Sequence, residues 1–264
     1  MAPKFRQFKK TLRSLSALTL WDLRERAQSS VLGLGWTLIN PLMRILIFYG
    51  VFFHILGIHA PEAYARSGPG AWMTAGLLPW LWVADVLGRA PNLVLERASS
   101  FRNGAFAGTL LAPMSLFSAL AYHACGLAVL AGLLVLGGQA PGLRVLACLP
   151  WMFAGGLLAL GLAWTAAALH VYWRDTAQIM AIALNAWVYA TPIVYPRALA
   201  PAIFQRFLEL NPMTHIVEGY RAAWLDPQLP LWHGLAYTLF LSAALALLGH
   251  AFFRRLQPGF AEEL

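Results

Sequence analysis

Apolar residues along this chain gather into blocks of membrane-crossing length, separated by short polar or proline-containing segments. A helix needs roughly 20 apolar residues to cross about 30 Å of hydrocarbon. Six blocks answer that description: residues 31–58, 72–93, 110–136, 146–169, 179–195 and 231–253. The pattern predicts an all-α integral membrane protein with six transmembrane helices. Asn40-Pro41 predicts a kink near the start of the first, and Pro79 and Pro91 fall in or at the end of the second. The run GGQAPG at 137–142 predicts a tight turn between the third and fourth.

Two segments break the pattern. Residues 1–30 are basic, and TLRSLSALTLWDLRERA is rich in helix formers, with Asp22 and Arg26 spaced as an i,i+4 pair. Its apolar positions Leu12, Leu15, Leu18, Trp21 and Leu23 spread around a helical wheel. This predicts an amphipathic interfacial helix on the cytoplasmic leaflet; a solvated helix is the alternative. Residues 196–230 hold two apolar pieces on either side of Asn211-Pro212, each too short to cross. Two short re-entrant helices meeting at that turn are predicted between spans five and six. They would form the outer mouth of a channel, or a lid on the outer surface.

Composition agrees with the blocks. Hydrophobic residues make up 59% and charged residues 11% of the 264, where a soluble domain carries about 25% charged residues. All three lysines, Lys4, Lys9 and Lys10, lie in the first ten residues. A Walker A loop needs a lysine after its glycine-rich turn, so the chain is no P-loop ATPase, and any ATP that powers it binds another chain. Cys125 and Cys148 form no CxxC pair, the seven histidines show no close ligand spacing, and GxSxG and HExxH are absent. Neither an enzyme nor a bound cofactor or metal is expected. The net charge of +8 would suggest nucleic acid in a soluble protein; beside hydrophobic blocks it reads as topology. With both termini inside, thirteen Lys and Arg fall in inner segments and five in outer ones. The charged stretch 22–26 argues against a cleaved secretory signal.

An ionised group in hydrocarbon pairs or faces water. Arg44, Asp85 and Arg89 lie at similar depth and are expected to cluster near the cytoplasmic entrance; the alternative is that the two arginines snorkel to headgroups. Aromatics form one band at Phe48, Tyr49, Phe52 and Phe53 and another at Trp187, Tyr189 and Tyr195. Aromatic faces suit the apolar faces of sugar rings, although an interfacial belt explains many such residues equally well.

Several stretches resemble the permease subunits of ABC-2 type polysaccharide and polyol phosphate exporters. LTLWDLRERAQSSVLGLGWTLINPLM at 18–43 is similar to the family's opening motif, with Leu32, Gly33, Trp36 and Pro41 in the LGxxWxxxxP positions. YWRDTAQI at 172–179, TPIVYP at 191–196, NPMTHIVEGYR at 211–221 and the ending FFRRLQPGFAEEL resemble further family segments in matching order. The resemblance implies an ABC-2 exporter fold in a single transmembrane domain, 1–264. Residues 1–30 would form its cytoplasmic N-terminal region, 31–255 its core and 256–264 its tail. It implies a homodimer in the bacterial inner membrane with two copies of a cytoplasmic P-loop ATPase that holds the ATP and Mg2+. It also implies a lipid-linked glycan as substrate, contact with membrane lipids and no nucleic acid. Residues 12–27 would form the gate-like helix. The ATPase-coupling loop would include Glu96, Arg97, Phe101, Arg102 and Asn103. The outer exit would gather Asn211, Pro212, Glu218 and Arg221, and the channel aromatics would come from Phe48, Tyr49, Phe52, Trp187 and Tyr189. The opening and ending motifs are closer to the O-antigen type than to the capsule type. Capsule or teichoic acid export, a small-molecule or drug ABC-2 exporter, a secondary carrier and a membrane enzyme acting on lipid-linked sugar are the alternatives.

Overall fold

The structure, a computed structural model, describes residues 2–28, 35–57, 61–64, 66–98, 107–225 and 232–264. Among them it is helix and turn throughout. Helix α1 spans Ala2–Gln28. Helix α2, Trp36–Tyr49, runs on into one π-helical stretch, Gly50–Ile55. Then come α3 (Gly68–Arg89), α4 (Leu111–Leu136), α5 (Leu149–Tyr172), α6 (Thr176–Tyr189), α7 (Ala202–Leu210), α8 (Pro212–Leu225), α9 (Trp232–Leu256) and the short α10 (Phe260–Glu263).

Helix α3 is the centre of the bundle. Up to Ala84 it is apolar on nearly every side, and a helix of that kind belongs inside a core. Every residue from Ala71 to Trp80 is buried, against α4, α5, α6 and α8. Pro79 sits inside it without ending it, as neighbouring helices allow in membrane proteins. Helices α3 and α4 run antiparallel. Ser67 Oγ donates to Gln139 Oε1 at one end, and Arg89 reaches Ser118 at the other. Helices α5 and α9 make the most extensive contact, and small residues set their approach. A Cβ added at Gly249 would lie 2.1 Å from the Gly161 carbonyl oxygen, so the two backbones touch. At their C-terminal ends the Tyr172 hydroxyl donates to the Leu256 carbonyl, and Phe260 packs under Phe253 and Tyr172. The bundle thus has an α1 end, with the C-termini of α3, α5 and α9, and an α8 end with their N-termini.

The six-span expectation is corrected. Four helical stretches among the described residues are long and apolar enough to cross a membrane: Gly68–Leu93, Gly108–Leu136, Leu143–Tyr172 and Gly234–Glu263. The first expected span is shorter. Among the described residues its apolar helical stretch is Leu42–Ile55, with Arg44 inside it, and Gly57 then takes φ 62 and turns the chain. Residues 31–34 and 58–60, and with them Leu32 and Gly33 of the opening motif, lie outside the described residues. The fifth is helix α6, whose 14 residues rise about 21 Å. It stops before Thr191-Pro192, because a proline disfavours helical backbone in the residue ahead of it.

The re-entrant expectation also falls. Helices do flank Asn211-Pro212, but no re-entrant helix is found among the described residues. Helix α7 leaves Ile203, Phe204, Phe207 and Leu210 exposed. Helix α8 is a core element packed on α3, α5 and α9.

Candidate functional site

A dense polar network sits at the α1 end. Leu15, Leu18, Asp22 and Arg26 recur at helical spacing and form the docking stripe of α1. The two leucines pack on the core and Asp22 is 2% exposed. Asp22 Oδ1 accepts from Arg89 Nη2 at 2.7 Å and from Arg97 Nη2 at 3.0 Å. Its Oδ2 accepts from Arg26 Nε at 3.2 Å and from the Ser118 hydroxyl. Arg26 Nη1 reaches Asp85 Oδ2 at 3.1 Å, and Arg97 also lies 3.5 Å from Glu25 and from Glu96. Arg97 lies over the Trp21 ring and Arg26 over Tyr122, each 5.0 Å from the ring centroid. A charge with so little water must have this many partners. Burial raises the Glu96 carboxyl above its ordinary value; the nearby Arg97 opposes the shift, while Glu25 and Asp22 add to it.

The expected trio is only partly gathered. Asp85 and Arg89 enter the network through Arg26 and Asp22, whereas Arg44 is exposed on α2 and makes no ion pair with a described residue. Asp22, the hub, was missed as such, because its sequence signal was a local pair with Arg26. Its place in the stripe 15–18–22–26 was the available clue. Of the expected coupling loop, Glu96 and Arg97 belong to this network, while Phe101, Arg102 and Asn103 lie outside the described residues.

A second polar knot ties the α8 end. Asn211 caps α8: its Oδ1 accepts from Met213 N at 3.0 Å, with Pro212 at the first helical position. The same Oδ1 accepts from Trp187 Nε1, and Nδ2 donates to the Ala190 carbonyl and Thr191 Oγ1, each at 3.0 Å. One amide therefore joins the end of α6 to the start of α8. Arg221, 4% exposed, points back from α8 into the core. It donates to the carbonyls of Trp72 at 3.3 Å, Pro192 at 2.8 Å and Ile193, and lies 3.8 Å from the Trp72 ring centroid. Gly76 makes room for it, since a Cβ there would meet Arg221 Nη2 at 2.6 Å. Burial lowers the Arg221 pKa to about 9, so it stays charged at neutral pH. Glu218 is half-buried one turn before it.

The two aromatic bands stay apart. Phe48 stacks on Phe52 at 5.8 Å and Tyr49 on Phe53 at 5.3 Å, and Phe53 meets Trp72 edge-on. Trp187 packs edge-on against Trp80 at 5.6 Å, while Tyr189 is exposed. No ring contact among the described residues joins the α2 band to the α6 band. No group of three or more His, Cys, Asp or Glu among them is placed to hold a metal. The arrangement offers two polar joints, one at each end of the bundle, and aromatic surface.

A family model described as ABC-2 type transporter matches residues 13–225, a stretch that holds both joints. The chain is 25% identical over 252 residues to an O-antigen export system permease protein, RfbA, of Myxococcus xanthus, with 95% of each chain covered. It is 23% identical over 251 residues to a Klebsiella pneumoniae protein of the same name, covering 95% of this chain and 94% of that one.

Proposed function

The chain belongs to the ABC-2 type transporter family, and from that premise we propose that it is the permease subunit of an ATP-driven exporter of a lipid-linked polysaccharide of the O-antigen kind. One observation carries the reading: relatives named O-antigen export system permease align with 95% of the chain. Two further features support it. The chain has no lysine past residue 10 to complete a Walker A loop, so its ATPase is a separate subunit. A hydroxyl-rich polymer also needs a wet, weakly binding path, which aromatic faces and scattered polar groups supply better than one deep pocket.

In this reading residues 1–264 act as one transmembrane unit with both termini in the cytoplasm, paired with a second copy and with two ATPase subunits. ATP binding closes the ATPase pair. The motion enters through the segment that begins at Glu96 and Arg97 and passes into the charged network of Asp85 and Arg89. Arg44, exposed on α2, lines the cytoplasmic entrance. The polymer passes Phe48, Tyr49, Phe52, Trp187 and Tyr189. It leaves at the α8 end, where Asn211, Pro212, Glu218 and Arg221 hold the exit in shape. A ligand moves a conformational equilibrium only by binding its states unequally, and here that ligand is ATP on the partner.

The test is purification from native membranes followed by reconstitution. A complex with two copies each of permease and P-loop ATPase, delivering lipid-linked glycan across the vesicle membrane only with ATP, is the expected result. A solitary permease that transports without an ATPase would overturn it.

A further inference from the structure

We propose that Asp22 is a positioning residue for transport, the single carboxylate through which α1, the approach to the 96–104 loop and the ends of α3 and α4 act as one joint. The proposal rests on the exporter reading above, because the motion it transmits is the one ATP drives in the partner.

An ionised carboxylate offers about four acceptor sites on two oxygens. Asp22 fills four, and each donor comes from a different element: Arg26 from α1, Arg89 from the C-terminus of α3, Arg97 from the turn that follows and Ser118 from α4. Arg97 is 3% exposed and lies at the edge of the loop, one residue past Glu96. No other described carboxylate meets more than two arginines. A displacement of the loop therefore pulls on Arg97, and the Asp22 carboxylate passes it to α1 and to both membrane helices. The rest of the network stays at the rim: Asp85, Glu25 and Glu96 are each more than a third exposed, where ion pairs hold weakly. The joint is thus concentrated on one buried carboxylate.

The experiment uses the reconstituted complex of permease and ATPase. Asp22→Asn keeps the volume, removes the charge and turns one acceptor into a donor that faces donors. Two quantities are read. Hydrogen exchange of the permease is expected to rise about tenfold together in residues 15–28 and 94–98, with α5 and α9 unchanged, since local opening grows by the stability lost there. Glycan exported per ATP hydrolysed is expected to fall about tenfold, a ratio that lower yield or general destabilisation does not move. Asp22→Glu, which restores the charge, is expected to recover part of that ratio. If Asp22→Asn does not assemble, Ser118→Ala removes one neutral donor, keeps the ion pairs and is read the same way, with smaller changes of the same sign. Exchange unchanged in both segments overturns the joint, and so does an unchanged export-to-hydrolysis ratio in an assembled variant. If the wild-type complex hydrolyses ATP and moves no glycan, the exporter reading fails, and the exchange result alone decides the joint.

Discussion

Arg221 is a cation held by carbonyl oxygens and one indole face, with no ion pair to a described residue. The planar fork of guanidinium can reach several carbonyls while lying flat on a ring; an ammonium cannot. Arg221→Lys is therefore expected to leave at least one of the Pro192 and Ile193 carbonyls without its donor and to cost about 2 kcal/mol, read as a lower Tm of the purified permease. A Tm equal to wild type would mean that those carbonyls find other partners. Glu96 carries a signed pH prediction. Its carboxyl is raised in the folded state, so folding favours the protonated form, and that contribution is lost as pH rises through the folded value. Glu96→Gln is expected to raise Tm slightly at pH 7, with the advantage over wild type gone below about pH 4; a variant less stable than wild type at pH 7 would refute the sign. These charges were visible in the sequence, but their partners were not. Asp22 meets Arg89, Arg97 and Ser118 across 67, 75 and 96 residues of chain, and periodicity reports only neighbours within a turn or two.

Element by element, length was the reliable signal. The blocks at 72–93 and 110–136 correspond to the helical stretches Gly68–Leu93 and Gly108–Leu136, because a long, predominantly apolar run has no competing fold in hydrocarbon. The fifth block misled because hydropathy does not register the helix stop ahead of Pro192, and the first because the chain turns at Gly57 and leaves Leu42–Ile55 as its apolar helical stretch among the described residues. For α1, the spread of Leu12 and Trp21 around the wheel hid the stripe that docks, since both are exposed. Close packing makes a prediction at this scale. At Gly249 a new methyl would strike backbone, which cannot rotate away. Gly249→Ala is expected to part α5 from α9 and cost about 2 kcal/mol or more by overpacking. Gly132, exposed on α4 with nothing within 4 Å of an added Cβ, is the control. There Gly132→Ala is expected to gain about 0.5–1 kcal/mol of helix propensity. Thermal unfolding of the two variants side by side would decide it; equal Tm values would mean that the α5–α9 crossing relaxes freely.

For the whole molecule, charge asymmetry and packing point the same way by independent routes. Lys and Arg counting placed both chain ends on one side. In the structure the C-terminus of α9 and the network that anchors α1 lie at the same end of the bundle, while Arg144 stands beside Ala223 and Trp224 at the α8 end. A protein with its basic N-terminus inside must then show Arg13 and Arg254 to the cytoplasm and Arg144 and Arg206 to the far side. All four are exposed in the structure, so each can be replaced by cysteine for labelling once Cys125 and Cys148 are changed to alanine. A membrane-impermeant maleimide is expected to react with Arg13→Cys and Arg254→Cys only in inside-out vesicles, and with Arg144→Cys and Arg206→Cys only in right-side-out ones. Arg144→Cys reacting from the same side as Arg254→Cys would contradict the arrangement of α5 against α9. The four sites segregating as expected, but with the sides exchanged, would keep the fold and reverse its direction in the membrane. The loop entered through Arg97 would then face away from any cytoplasmic ATPase, and the coupling assigned to Asp22 would have no source.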